Sequence, residues 1–287
     1  MPPMKKVAIL GGTGALGEAL IPALLKADFE VTCVTRTGSK HAVLPGVVAK
    51  TADYTDIAAL TEAFNNHDAV VEAFNPAGAT HQGCILKAVL AAGVRHIITP
   101  DFSGNTFHPN AKDICIFNPK LAAQQELERI VAESDGKLAW TAIVTGPWYD
   151  WALEKGIFWI NKANRTITRY GSGNQKYSMS RRALNGEALV AVLSDHENYR
   201  NRPAYFASHT VLDVPFGGFE NRARALWQKD TEMGIEDRLN SKAYAALSTV
   251  AMLDENNRYG SDFGGKIEPG WGESEEALVD SLKKLLS

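Results

Sequence analysis

A chain of 287 residues can hold one large domain, or a core domain with a smaller one attached. With 45% hydrophobic residues, 22% charged residues and a formal net charge of −3, it has the makeup of an ordinary globular protein. It lacks the basic excess that nucleic acid or an anionic membrane asks for, its three cysteines lack CxxC spacing, and no apolar run approaches the ~18 residues of a spanning helix.

The first element is a strand, Val7-Ala8-Ile9-Leu10, that runs straight into Gly11-Gly12-Thr13-Gly14-Ala15-Leu16-Gly17 and then an amphipathic helix from Glu18 to Lys26. Strand, tight glycine turn and helix in that order form the setting in which a glycine fingerprint means dinucleotide binding. The glycines permit positive φ and close approach of the backbone to a pyrophosphate. The amides of Thr13, Ala15 and Leu16, beside Gly11, Gly14 and Gly17, then lie at the helix N-terminus, where the dipole favours negative charge. The bland alternative is a glycine-rich turn of some other α/β protein.

The second strand, Glu30 to Thr35, ends without the acidic residue that would bind the ribose 2′-hydroxyl of NAD. Arg36 stands there instead. A guanidinium suits a 2′-phosphate, so the expected cofactor is NADPH; a solvated loop arginine is the plain alternative. Val47 to Thr51 reads as a third strand, Asp53 as a residue that could lie over the adenine, and Asp56 as the N-cap of a helix from Ile57 to Phe64. Asp68 to Phe74 is a fourth strand, and the break at Phe74, Asn75 and Pro76 is where the chain would pass the cofactor. A helix from His81 to Ala92 leads to a fifth strand, Val94 to Thr99. The irregular stretch from Pro100 to Pro119, which includes Phe102 and His108, lies beyond that strand's carboxyl end, where loops tend to be functional. A helix, Leu121 to Glu133, and a sixth strand, Leu138 to Val144, follow.

This alternation predicts the α/β class: a doubly wound parallel sheet with helices on both faces and ligands at the carboxyl ends of the strands. Residues 1–146 are expected to form the NADP-binding core and residues 147–287 a smaller substrate-side region, some of whose segments return to the core. After residue 146 the composition turns aromatic, with Trp148, Tyr149, Trp151, Phe158 and Trp159 as core or as walls of a pocket for an aromatic compound. A hairpin is expected between Arg165 to Tyr170 and Lys176 to Ser180, a helix capped by Ser180 through Leu193, a short strand at Ala204 to Ala207, and helices at Phe219 to Lys229 and Glu275 to Leu286. The connection Asn256 to Gly272 carries no clear pattern.

No tyrosine has a lysine four positions on, which argues against an ordinary short-chain alcohol dehydrogenase. His81, His96 and His108 do not make a metal spacing, so no metal is expected. No GxSxG is present, which leaves a hydrolase without support.

The chain resembles the isoflavone reductase-like, or NmrA-like, atypical short-chain reductases, in particular their fungal CipA-type branch. The resemblance rests on KKVAILGGTGALG with VTR after the second strand, on Arg95 to Gly104 (RHIITPDFSG), on Ile116-Phe117-Asn118-Pro119-Lys120 with its helix, and on Trp140 to Ile143 with Thr145 to Trp148. It covers residues 5 to roughly 195. It implies that Lys120 is the catalytic residue, a cation that would stabilise charge on a substrate oxygen; Phe102, Trp148 and Tyr149 are the candidate substrate-binding residues. Thr99-Pro100-Asp101-Phe102 departs from the family's Pro-Ser-Glu-Phe order.

The function expected is thus an NADPH-dependent reduction of a small aromatic, unsaturated or carbonyl compound in secondary metabolism. Two alternatives stay open: an NADP-binding regulator without turnover, and a cofactor-assisted isomerase or cyclase. A cytoplasmic monomer or homodimer with a small-molecule substrate is the expected setting.

Overall fold

The structure, a computed structural model, describes residues 3–39, 44–161, 166–168, 174–207, 209–213, 218–239, 241–271, 274, 276–277 and 279–281. Two compact units make up the chain: Met1–Phe102 with Pro119–Ile143 and Ala183–Ala204, and Ser103–Asn118 with Val144–Arg182 and Tyr205–Ser287. The chain therefore crosses between them several times.

The first unit is built on β1 (Lys6–Leu10), α1 (Gly17–Lys26), β2 (Glu30–Thr35), β3 (Val48–Thr51), α2 (Ile57–Phe64), β4 (Ala69–Glu72), α3 (Gln82–Ala91), β5 (His96–Ile98), α4 (Asn118–Glu133) and β6 (Ala139–Val144). β4, β5 and β6 are buried along their whole length, as strands covered on both faces must be. Neighbours from β3 to β6 pair in parallel in the order β6-β5-β4-β1-β2-β3. The order reverses between β1 and β4, which is where an open α/β sheet binds its ligand. Asp56 caps α2 as expected, its Oδ1 accepting from the Ala59 amide at 3.0 Å. Asp68 ties the amino ends of two strands together: its carboxylate accepts from the Lys5 and Lys6 amides at 2.8 and 2.9 Å and from Arg95 at 2.7 Å.

The second unit contains α5 (Tyr149–Lys155), β7 (Ile160–Asn161), β8 (Thr166–Ile167) and β9 (Asn174–Met179). Here the expected hairpin is corrected. β9 pairs antiparallel with a later strand, β11 (His209–Asp213), and β8 pairs with β7; residues 169–173, which would form its turn, lie outside the described residues.

The following helix, α6 (Leu184–Ser194), returns to the first unit and starts later than expected. Ser180 does not cap it. Its carbonyl accepts from the Tyr149 amide and its amide donates to Pro147, both at 3.0 Å, which binds it to α5. Gly186 lets α6 lie against the α1 backbone at Ala19. β10 (Arg202–Tyr205) is the outermost strand of the sheet, beside β6. Two helices complete the second unit, α7 (Phe219–Glu232) and α8 (Lys242–Leu253), the second of which the sequence pattern did not announce. Of the helix expected at Glu275 to Leu286, residues 276–277 and 279–281 are described, and they are helical. Among the described residues no helix is long and apolar enough to cross a membrane.

Candidate active site

The glycine turn closes β1 as expected. Gly11 has φ of 77°, and a Cβ there would stand 2.7 Å from the Ala73 carbonyl oxygen, so neither the conformation nor the space admits a side chain. Gly14 differs. It has an ordinary negative φ, and the nearest atom to an added Cβ would be the Gly11 carbonyl oxygen at 3.5 Å. Nothing in the protein requires glycine at that position. The space it leaves at the N-terminus of α1 is a cradle open to a ligand's phosphates, and the turn fits a dinucleotide.

Tyr54 supports this turn, and sequence reasoning overlooked it. Its buried hydroxyl donates to the Val34 carbonyl at 3.3 Å and accepts from the Gly11 amide, while burial pushes its pKa up to about 12. Its ring lies 6.1 Å from that of Phe74, which brings Phe74 to the same place. Asn75 turns its side chain back to cap the next short helix, accepting from the Gly78 amide at 3.3 Å. Asp53 is exposed, and its carboxylate accepts from the amide and hydroxyl of Thr55 at 2.9 and 2.8 Å, which hold its pKa down. Arg36 lies exposed just past β2, with its charge felt at the Tyr54 hydroxyl. Arg36, Tyr54, Phe74 and Gly11 thus gather at the carboxyl ends of β1, β2 and β4.

A second cluster sits beyond β4 and β5. Lys120, in the first turn of α4, is buried, and its ammonium donates to the Asp101 carbonyl at 3.0 Å. Burial lowers its pKa, and the Asp101 carboxylate works against that shift. That carboxylate in turn accepts from the Thr99 hydroxyl at 2.6 Å. Gln82, Thr99, Asp101, Lys120, Gln124 and Leu127 line a shallow cleft, partly open to solvent. The turn that aims the Asp101 carbonyl at Lys120 is strained: Phe102 has φ of 28°, which costs a bulky residue on the order of 1–3 kcal/mol.

Glu72 closes this end of β4. It is fully buried, and burial, helped by the nearby Asp101 carboxylate, raises its pKa to about 8 against a hydrogen bond from Gln82. Sequence reasoning passed over Glu72, although a carboxyl within the apolar run AVVEAF was the signal for it.

The three residues expected on the substrate side fall in different environments. Phe102 is fully buried in the first unit. Tyr149 is buried in the second, in a cluster with Tyr177, Met179, Met252 and Leu253. Trp148 keeps part of its surface exposed and meets Trp151 edge-on at 6.1 Å.

A family model described as NAD(P)H-binding matches residues 11–194, from the glycine turn to the end of α6. The chain belongs to the NAD(P)H-binding family. Both clusters lie within the matched span. Among relatives, an oxidoreductase of Penicillium oxalicum, poxI, is 28% identical over 191 residues, covering 66% of this chain and 60% of its own length. An oxidoreductase of Aspergillus flavus, aprR, is 29% identical over 210 residues, or 72% of this chain and 69% of that one. The chain therefore spans less than two thirds of the length of the first of these. Among solved structures, an isoflavone reductase superposes with a TM-score of 0.63 at 20% identity, over 96% of this chain and 95% of that one. An NADPH-dependent quinone oxidoreductase of Escherichia coli, solved with NADPH, gives 0.61 at 20% identity over 98% and 100%. The fold is that of the isoflavone reductase-like proteins.

Proposed function

We propose that this chain is an NADPH-dependent oxidoreductase of the fungal CipA-type branch, reducing a small aromatic, unsaturated or carbonyl compound of secondary metabolism. The observation that carries this reading is Lys120, buried beyond the carboxyl ends of β4 and β5 with its ammonium donating to the Asp101 carbonyl. The names of the relatives and the NADPH in the quinone oxidoreductase structure point the same way.

When bound, the dihydronicotinamide supplies a hydride. The chain's own residues do the rest. The glycine turn and the α1 amides hold the pyrophosphate, and Arg36 holds the 2′-phosphate. Asp53 and Asn75 sit at the rim, for the adenosine and nicotinamide ends respectively. Lys120 leaves the Asp101 carbonyl to donate to a substrate oxygen on which charge develops. A lysine whose pKa is lowered by burial can also give that oxygen a proton and regain one from water. Within the second unit, Trp148 offers an exposed face to an aromatic ring, beside the buried Tyr149.

Calorimetric titration with NADPH and with NADH tests the cofactor, followed by NADPH oxidation against a panel of aromatic enones and quinones. Tight NADPH and weak NADH binding, with oxidation that depends on one of these compounds, is the expected result. Failure to bind either nucleotide would overturn the reading, and NADPH binding without turnover across the panel would favour the regulator.

A further inference from the structure

Glu72 is the last residue of β4. Its backbone is in register with Leu10, immediately before the glycine turn, and the next residue, Ala73, presents the carbonyl against which Gly11 packs. One carboxyl oxygen, Oε2, accepts from Gln82 Nε2 at 3.3 Å, and the other, Oε1, has no partner. Gln82 is buried as well, and its own amide oxygen also lacks a partner.

An ionised carboxylate leaves both oxygens unsatisfied, because it has no proton to offer the Gln82 oxygen, and turning the amide over does not help. A neutral carboxyl resolves the two together. An amide and a carboxylic acid that face each other close with an N–H donated one way and an O–H donated the other. One proton on Glu72 therefore satisfies two orphaned oxygens in a water-poor interior, where each unmade bond is costly.

We infer that Glu72 is a neutral carboxylic acid paired face to face with the Gln82 amide, a positioning residue that holds Gln82 in the wall of the Lys120 cleft and keeps negative charge from beneath the glycine turn. The groups around it are Gln82 from α3, Asp101 from the turn after β5, and the Tyr54 hydroxyl from the segment after β3; Lys120 stands beyond Asp101. Loss of the proton in alkali would place a second carboxylate beside Asp101 and one residue from the Gly11 contact. The charge-state part of this inference stands alone, and its effect on the cofactor rests on the NADPH-binding reading.

The test uses the full-length protein as wild type, E72Q and E72A. Infrared spectroscopy of the ligand-free wild type should show a buried carboxylic-acid carbonyl band that fades as pH rises through about 8 and is missing from E72Q. Identical spectra for wild type and E72Q at neutral pH would overturn the inference. NADPH titrations across the same transition should weaken roughly tenfold for wild type and stay level for E72Q, as expected of a buried charge near an anion. E72Q should also recover the neutral-pH affinity that E72A loses. The same pH dependence in wild type and E72Q, or no recovery, would overturn the positioning role. Absence of NADPH binding to wild type at every pH would sink the proposed function, and the infrared band would still decide the state of Glu72.

Discussion

Asp68 and Glu72 stand at the two ends of one strand, roughly 13 Å apart at the usual rise. Asp68, at the amino end, receives three donors: two strand amides and the Arg95 guanidinium. Burial alone would raise its pKa, but these bonds hold it below its ordinary value, so it is a committed carboxylate. Glu72, at the carboxyl end, is more deeply buried, meets one donor, and keeps an oxygen without a partner. The same chemical group thus serves structure at one end of β4 and is left poised at the other. The glycine turn, the strained Phe102 and the buried Lys120 also sit at the carboxyl end. Along β4, the unsatisfied carboxyl lies at the end where an open α/β sheet binds its ligands, and the well-satisfied one opposite.

Two substitutions separate those roles most sharply. Lys120→Ala should lower NADPH-dependent turnover by about 10²–10⁴-fold, the usual contribution of a positioned acid–base group. NADPH affinity and the melting temperature should change little, since a buried cation is lost together with its desolvation cost. Steady-state kinetics beside a calorimetric titration would check this, and unchanged turnover would remove Lys120 from the mechanism. Asp68→Asn should do the reverse. An amide cannot accept all three donors and turns one of its own N–H groups toward them, which should cost about 2–3 kcal/mol in denaturant unfolding with nucleotide binding retained.

The sheet and the cofactor turn were legible because their signals are local. A buried parallel strand is an apolar run, a βα crossover repeats, and positive φ at Gly11 calls for a residue without a side chain. Asp56 as a cap was legible for the same reason. The second unit was not. β9 finds its partner in β11, some thirty residues on, so the tempting turn at Gly171 to Asn174 pointed to the wrong pairing. α8 was missed because its buried residues, Ala243, Leu247 and Val250 among them, sit in a helix with few charges and a weak stripe. At the site, Lys120 came from family resemblance, and its inward direction needed the Asp101 carbonyl to be visible. Tyr54, Gln82 and Glu72 act through contacts between different elements, Tyr54 with the Val34 carbonyl and Gln82 with Glu72, and no spacing announces those.

The next comparison asks whether the carboxyl-end arginine is there for a ligand. Arg36 is exposed, and its replacement should leave stability unchanged. If it binds a 2′-phosphate, Arg36→Ala should weaken NADPH by about 1.5–3 kcal/mol, the worth of a hydrogen bond between charged groups, and leave NADH nearly unaffected. Calorimetric titration with both nucleotides decides it. Equal losses for both would mean that Arg36 meets a part that the two cofactors share.

At the amino end of β5 the contrast with Glu72 sharpens through pH. His96 is fully buried there, with Nε2 2.8 Å from the Thr141 hydroxyl. That hydroxyl donates its proton to the Tyr199 carbonyl at 2.7 Å, so His96 must be the donor in the first bond, and its Nδ1 carries a lone pair without a partner. Burial, reinforced by His196, Arg200 and Arg95, lowers the His96 pKa to about 3 from an ordinary 6.5. The unfolded chain therefore takes up a proton below about 6.5 that the folded chain refuses, and stability falls as pH drops from there toward about 3. Glu72 has the opposite sign. Its folded pKa is raised from 4.5 to about 8, so its contribution is complete below about 4.5 and is lost as pH rises through about 8. Each limb can change stability by at most about 1.4 kcal/mol per pH unit. Unfolding curves of His96→Gln and Glu72→Gln should accordingly flatten the acid limb in the first variant and the alkaline limb in the second. If either variant flattened both limbs, the two ends of the sheet would be coupled through pH, and the division of labour along β4 would not hold.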